Sequence, residues 1–351
     1  MEKLETLNLQ FREDDTLMKI KSVLDQNKDK NIIVSNSGGA DSTIMLDLLT
    51  KVDTEKRLKY KFFDTGIEFE ATKNFLKEKM KQGWDIEIIR AFQPVPLVVK
   101  QRGQPFINKY VSEMLERLQK HNFNFQIDGL MEYPILLNKF PNCKGALKWW
   151  SNWYGSDYDS NLENQKHIKK SSQSSFNIGR NKYLKEFILE FGLPFKVSAK
   201  CCHYAKKMTS HIFEKENKID MVLTGIRKAE GGIRARVYKT CITHKKDIEL
   251  YMPLLWWSNE EMKQYKLKNN IEFSECYESY GLKRTGCAGC PLGRDREFER
   301  KVVKQYEPNL SRAIENIFKD TYIWTKKYFE FQEFKNNKNT NLISYFVEEK
   351  E

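Results

Sequence analysis

With 351 residues, 40% of them hydrophobic and 22 of them Phe, the chain has material for one large core or two modest ones and is not a disordered polymer. Lys and Arg number 60 against 48 Asp and Glu, a formal net charge of +12, which suits a polyanionic partner or, more blandly, a solvated basic surface. No apolar run is long enough to span a membrane, the charged start Met1-Glu2-Lys3-Leu4-Glu5-Thr6 lacks a signal core, and seven cysteines accompany it; these features predict a cytoplasmic protein whose thiols serve metal or redox chemistry before disulfides.

Residues 1–30 read as a charged amphipathic helix. Ile32 to Val34 then form a short apolar run expected of a buried strand, and Ile44 to Leu49 has the apolar density of a helix packed on a sheet. Between them stands Ser37-Gly38-Gly39-Ala40-Asp41-Ser42. Two glycines allow close backbone approach and positive φ, the serines bring hydroxyls, and the helix points free N–H groups at the loop. Such a loop suits a phosphate; the blander reading is a Gly-Ser turn. The Gly-Lys-Ser/Thr ending of the common ATPase loop is missing, as is the third glycine of the dinucleotide fingerprint. Leu58 to Phe63 alternates as a second strand and ends in Asp64-Thr65-Gly66-Ile67-Glu68-Phe69. Small polar groups at that strand end belong beside the first loop in an α/β fold, or else Asp64 or Thr65 merely caps the next helix. Phe69 to Gly83 reads as a helix and Asp85 to Arg90 as a third strand, which predicts parallel βαβ units.

Pro94 to Pro105 breaks the pattern, and residues 106–180 form a poorly legible insertion. Trp149, Trp150, Trp153 and Tyr154 stand near Lys144 and Lys148, before a polar stretch from Ser151 to Ser175. Aromatics beside lysines suit a nucleic acid strand; the alternative is a small hydrophobic cluster under a surface loop. Regularity returns at Tyr183 to Phe191, then come Cys201-Cys202-His203 and a strand from Ile219 to Gly225 leading to Arg227, Glu230 and Arg234. Arginines past a strand end suit phosphate or sulfate, or simply pair with Glu230. Ser258 is placed to cap a helix running to about Leu267. Cys276, Cys287 and Cys290 follow, then helical patterning from Glu297 to Glu333 and a polar Lys/Asn tail.

Four of these segments resemble a known family. Ser37 to Ser42 is similar to the PP-loop, Ser-Gly-Gly-x-Asp-Ser, of enzymes that split ATP between the α and β phosphates. Asp64 to Phe69 resembles the Asp-Thr-Gly-x-Glu-Phe element of the 3′-phosphoadenosine 5′-phosphosulfate (PAPS) reductase family. Gly225, Arg227, Glu230 and Arg234 match its Gly-x-Arg-x-x-Glu-Ser-x-x-Arg element, with Gly231 replacing the serine. Met252 to Met262 resembles its Pro-Leu-x-x-Trp-Ser/Thr-x-x-Asp/Glu segment. The resemblance implies an α/β fold: a doubly wound, mostly parallel sheet of the adenine nucleotide α-hydrolase type with a C-terminal helical, cysteine-rich region. It places a nucleotide-binding domain over residues 1–250 and the C-terminal region over 251–351.

A Cys-x-x-Cys pair brings two thiolates to one metal centre and needs two further ligands. Cys201 and Cys202 with Cys287 and Cys290 look like the pattern that holds a 4Fe–4S cluster in bacterial adenylyl-sulfate reductases. Cys276 with Cys287 and Cys290 resembles the cluster segment of the DNA phosphorothioation sulfurtransferases, except that Arg294 stands where those have a further cysteine; Cys201, Cys202 or Cys241 would complete it. A structural Zn²⁺ site would use the same thiolates, and buried free thiols are the blandest reading. Cys143 reads as a core residue or a sulfur carrier.

Sulfonucleotide reductases use a nucleophilic cysteine in a C-terminal tail, and no cysteine follows Cys290 here. The favoured expectation is therefore an ATP pyrophosphatase that adenylates an acceptor for sulfur transfer, the acceptor being DNA, RNA or a small molecule and the sulfur donor a protein such as a cysteine desulfurase. In that reading Ser35, Ser37, Gly38, Gly39 and Ser42 bind pyrophosphate and Asp41 helps position Mg²⁺. Asp64, Thr65 and Gly66 contact the nucleotide, ATP or PAPS, while Arg227 and Arg234 neutralise charge at the α-phosphate. The alternatives are a PAPS or adenylyl-sulfate reductase using Cys143 or Cys241, and a non-catalytic nucleotide or nucleic-acid binding module.

Overall fold

The computed structural model of the chain describes residues 2–153, 176–245 and 248–337. Tyr154, most of the polar stretch ending at Ser175 and the C-terminal Lys/Asn tail lie outside the described residues. By its contacts the chain divides into two compact units. The first comprises Met1–Pro96, Cys202–Cys290 and Glu297–Arg312; the second comprises Leu97–Cys201, Pro291–Arg296 and Ala313–Glu351.

The first unit is built on a six-stranded sheet. Its strands are β1 (Ile32–Ser35), β2 (Lys59–Asp64), β3 (Ile86–Arg90), β4 (Met221–Thr224), β5 (Ile242–Lys245) and β6 (Ile248–Tyr251), in the spatial order β3-β2-β1-β4-β6-β5. Every pairing is parallel except β5 with β6. This is the doubly wound, mostly parallel α/β sheet expected from the sequence. Helices α1 (Glu2–Gln26), α2 (Ala40–Val52) and α3 (Glu70–Lys81) precede or join its first strands. Within β1, Ile32 and Val34 enter the larger core with Ile44, Met45, Leu48, Leu49 and Trp257, while Ile33 packs with Ile219 and Val222 on the opposite face. Burial on both faces is why the strand reads as an unbroken apolar run. The antiparallel pairing of β5 with β6 at the sheet edge is an addition that the expected pattern did not contain.

The break expected from Pro94 to Pro105 contains a helix instead, α4 (Val95–Arg102). Pro96 lies in its first turn, where the missing N–H costs nothing.

The second unit carries α5 (Lys109–Lys120), α6 (Tyr133–Lys139), α7 (Lys144–Trp150) and α8 (Leu184–Phe191). Asn108 caps α5 by accepting the Val111 amide at 2.9 Å. The core of this unit gathers Phe106, Leu115, Phe123, Trp149, Trp150, Trp153, Phe187, Tyr328 and Phe331. Trp149 and Trp150 are fully buried, and Trp153 stacks on Tyr133 with ring centroids 4.5 Å apart. Trp150 donates its indole N–H to the Gly129 carbonyl at 3.1 Å. These rings are core, and a buried indole has no face to offer a base; the nucleic-acid reading of Trp149, Trp150 and Trp153 gives way to the hydrophobic cluster.

A π-helical stretch, His203–Met208, leads into α9 (Thr209–Glu216); α10 (Gly232–Val237) follows β4. Helix α11 (Asn259–Lys268) starts where Ser258 predicted. The Ser258 hydroxyl accepts the Glu261 amide at 3.1 Å and the Glu261 carboxylate accepts the Ser258 amide at 2.7 Å, a reciprocal cap. A single turn, α12 (Glu275–Glu278), then precedes α13 (Arg296–Tyr306), α14 (Pro308–Ile317) and α15 (Lys319–Asn336).

Candidate active site

The sheet order puts β2 and β3 on one side of β1 and β4 on the other. At such a switch point an open parallel sheet leaves a crevice beyond its carboxyl ends. Ser35 stands beside Thr224 in the register, so the loop after β1 and the loop after β4 flank that crevice. They touch: a Cβ on Gly225 would lie 3.1 Å from the Asp41 carbonyl carbon and oxygen and from the Ser42 nitrogen.

The first loop is tied by its own side chains. Asn36, buried, accepts the Gly38 amide at 2.9 Å. The Ser37 hydroxyl lies 3.1 Å from that of Ser42 and accepts the Gly39 amide at 3.4 Å, and Ser42 donates to the Gly39 carbonyl at 2.8 Å. Gly38 adopts φ +66°, and a Cβ there would meet Thr72 Cγ2 at 2.6 Å. Both facts make any larger residue costly there. Ser35 is half-buried at the strand end, whereas Ser37 is exposed.

Arg227, 6% exposed, sets one guanidinium nitrogen 3.0 Å from the Asp41 carboxylate. Its Nη1 donates to the Trp257 carbonyl at 3.3 Å and to Asn259 Oδ1 at 3.1 Å. The Pro-Leu-Leu-Trp-Trp-Ser segment therefore aims Arg227 as well as capping a helix. Glu230 accepts the Arg227 backbone amide at 3.2 Å. Arg227 Nε is buried with no hydrogen-bond partner, which is costly unless a ligand oxygen meets it. Arg234 falls within α10, and its side chain lies outside the described residues.

After β2, Asp64 accepts the Gly66 amide at 2.8 Å. Thr65 is fully buried and donates to Glu68 at 2.7 Å. The cysteine segment is zipped onto this turn. Ala288 donates its amide to the Ile67 carbonyl at 2.8 Å, Glu68 and Cys287 form an isolated antiparallel bridge, and Cys287 Sγ lies 3.3 Å from Thr65 Oγ1. Lys206 reaches Glu68 at 3.5 Å. Desolvation would lower the Lys206 pKa, but the Glu68 carboxylate beside it outweighs that and raises it. Burial pushes the Cys287 thiol up to about 12 against the pull of Lys206.

Of the five cysteines predicted to bind metal, Cys202, Cys276, Cys287 and Cys290 belong to the first unit and Cys201 to the second. Cys276 is turned into the core, 3.5 Å from Thr72 Oγ1, and burial raises its thiol to about 11. Among the described residues, which include all seven cysteines, no disulfide forms, and no three Cys, His, Asp or Glu side chains are grouped to hold a metal ion.

Several residues of this region carry no sequence signal that singles them out. Glu307 accepts the Glu70 and Ala71 amides at 2.8 and 3.0 Å and so caps α3 from a distance of 236 residues along the chain. Tyr277 and Thr285, whose oxygens lie 3.1 Å apart, approach the first loop. Asn36 alone was open to detection, since an Asn within a Gly-rich turn readily accepts an amide two residues on.

The profile of the phosphoadenosine phosphosulfate reductase domain matches residues 31–129 and 156–292, more than half of the chain. No curated protein matches. Among solved structures, the phosphoadenylyl-sulfate reductase of Candida auris in a phosphate complex is 15% identical with a TM-score of 0.39, over 76% of this chain and 87% of that one. The FMN adenylyltransferase of Candida glabrata with FMN and an ATP analogue is 13% identical with a TM-score of 0.39, over 80% and 65%. The U34-tRNA thiolase NcsA of Methanococcus maripaludis with its 4Fe–4S cluster is 13% identical with a TM-score of 0.37, over 91% and 80%.

Proposed function

The chain belongs to the phosphoadenosine phosphosulfate reductase domain family, and from that premise we propose that it is a PP-loop enzyme that cleaves ATP to AMP and pyrophosphate and adenylates an acceptor for sulfur transfer. The observation that carries this reading is Arg227: a buried cation at the sheet's switch point, paired with Asp41 and holding an unpartnered Nε. A guanidinium so placed is suited to an added phosphate oxygen.

In this mechanism an acceptor oxygen attacks the α-phosphorus. A new oxygen–phosphorus bond forms, the bond to the bridging oxygen of the β-phosphate breaks, and pyrophosphate leaves with the electron pair. A sulfur nucleophile then displaces AMP from the adenylated acceptor. Ser35, Ser37, Gly38, Gly39 and Ser42 hold the departing pyrophosphate at the helix N-terminus, and Arg227 with Arg234 neutralises charge at the α-phosphate. Asp64, Thr65 and Gly66 shape the nucleotide side of the crevice, Thr65 through its bond to Glu68 rather than by direct exposure. Mg²⁺ bound with the phosphates would supply charge neutralisation; Asp41, held by Arg227 in the first turn of α2, would help position it. A DNA or RNA acceptor and a protein sulfur donor complete the proposal. The 4Fe–4S cluster or Zn²⁺ ion suggested by the cysteine pattern is a separate proposal resting on Cys287 and Cys290, and no step runs through it.

Release of pyrophosphate from Mg²⁺-ATP, measured with nucleic-acid and small-molecule acceptors, tests the reading. Release that depends on acceptor supports it, and its absence with every acceptor sinks it. The family match also keeps a sulfonucleotide reductase in view. Its internal nucleophile would be Cys143 or Cys241, yet burial raises both thiols above their ordinary value, which weakens them as nucleophiles at neutral pH. Thioredoxin-dependent sulfite release from PAPS or adenylyl sulfate would decide for that activity.

A further inference from the structure

Two tryptophans stand side by side in the segment that aims Arg227, and their environments are opposite. Trp257 is 1% exposed and donates its indole N–H to the Thr16 hydroxyl at 3.0 Å. Trp256 is 48% exposed, although its backbone is pinned to the chain that follows β4. On one side the Leu255 carbonyl accepts the Lys228 amide at 2.9 Å; on the other the Trp257 carbonyl accepts Arg227 Nη1 at 3.3 Å. Trp256 is thus held at the rim of the candidate site. The Lys228 ammonium lies 4.2 Å from the centroid of its ring. Residues 226–240, the connection from β4 to β5, contain five cationic side chains, Arg227, Lys228, Arg234, Arg236 and Lys239, and one acidic, Glu230. Arg236 and Lys239 are exposed, and among the described residues neither they nor Lys228 pairs with a carboxylate.

We propose that Trp256 and the connection from β4 to β5 form a docking surface for a single strand of nucleic acid, a base stacking on the indole while phosphates meet Lys228, Arg236 and Lys239. This rests on the reading of the adjoining crevice as an ATP site and names the class of acceptor that it serves. Basic charge alone would attract any polyanion. The half-exposed indole decides among them, because an aromatic face beside unneutralised cations matches the alternation of base and phosphodiester along a strand. A duplex keeps its base faces stacked inside, so it offers phosphates to the cations and nothing to the indole. An acidic protein surface likewise brings no base. Lys228 holds the ring by cation–π attraction before a strand arrives, which lowers the ordering cost of stacking. Arg227 immediately precedes Lys228, so a strand on this surface is delivered beside the guanidinium where the proposed attack on ATP takes place.

Fluorescence anisotropy of labelled single strands about 12 nucleotides long, DNA and RNA in separate titrations of the full chain over a series of salt concentrations, reads the binding. The wild type should bind at least one of the two, and a duplex of the same length more weakly. Trp256→Ala should weaken strand binding about five- to a hundred-fold, the range that one stacked base is worth. Trp256→Phe keeps an aromatic face and should recover most of that loss, which separates stacking from misfolding. Lys228→Gln and Arg236→Gln should each flatten the dependence of log K on log salt by about 0.7; Lys81→Gln, exposed at the end of α3, should leave it unchanged. Strand binding that Trp256→Ala does not weaken, or that a duplex equals, overturns the proposal and marks a merely basic surface. Failure to bind either strand also overturns it, and pyrophosphate release that depends on a small-molecule acceptor would then leave the ATP reading standing. Binding that depends on Trp256 in a protein that releases no pyrophosphate supports the surface and sinks the proposed chemistry.

Discussion

Arg227 meets Asp41 at 3.0 Å across the sheet's switch point, so the loops after β1 and β4 are joined by one ion pair with the guanidinium almost wholly buried. Lysine in its place keeps a charge but cannot hold Asp41, Trp257 and Asn259 at once. Arg227→Lys should lower acceptor-dependent pyrophosphate release about 10²-fold, the cost of removing one preorganised donor. Steady-state kinetics on the purified variant, with its melting temperature recorded beside the wild type, separates this from unfolding.

Gly38→Ala tests the loop's geometry. The φ of +66° and the 2.6 Å approach to Thr72 Cγ2 act together, and the expected loss is about 1–3 kcal/mol of stability. Adding Thr72→Ser removes the methyl group but leaves the dihedral strain, so the double variant should recover only part of that loss. Denaturant midpoints of the three proteins measure the division; full recovery would mean that φ contributes nothing.

Glu307 gives both carboxylate oxygens to the first amides of α3 and receives the Tyr280 hydroxyl at 3.3 Å. Glu307→Ala removes a charged cap from a helix N-terminus and should cost about 1–2 kcal/mol. Chemical denaturation measures that, and a variant within error of the wild type would make the contact decorative.

Acid should loosen α1. Glu13 accepts Lys51 at 3.0 Å and Lys268 at 2.8 Å, and Glu261 accepts Arg12 at 2.9 Å. Burial alone would raise both carboxyls; Lys268 and Lys51 around Glu13, and Ser258 and Arg12 around Glu261, outweigh it and hold both below 4.5. A depressed folded-state pKa contributes stability that is present above the unfolded value and is lost as pH falls through the folded one. The denaturant midpoint should stay level above about pH 5 and decline below it, with Glu13→Gln showing a shallower decline. Equal slopes for wild type and variant would contradict the assignment.

Much of the sheet is legible in the chain because β1 and β4 are buried and write themselves as apolar runs, while β2 alternates between lysines and aromatic residues. The Ser258–Glu261 cap is legible for a local reason, both partners lying within one turn. The second unit is harder to read. Its core joins Phe106 and Trp150 to Tyr328 and Phe331, and no local period announces a core assembled from such distant segments. Helix α4 hides behind its own Pro96, and lysines near Trp149 and Trp150 suggest a nucleic-acid surface to anyone unable to see the indoles turned inward. At the site, the loop and Arg227 are marked by glycines and charge. Tyr277, Thr285 and Glu307 are not, because only tertiary contact gives them a role.

The bridge between Glu68 and Cys287 has a consequence for biosynthesis. Thr65 and Cys287 are 222 residues apart, and β1 is flanked by β4 only after the intervening chain has been made, Asn31 reaching Asp220 across 189 residues. A nascent chain still attached to the ribosome at residue 250 would have its glycine loop but not the seam along Ile67 and Glu68, which needs Cys287 and Ala288. The seam between Ile67 and Ala288 thus closes only after almost the whole polypeptide has been made.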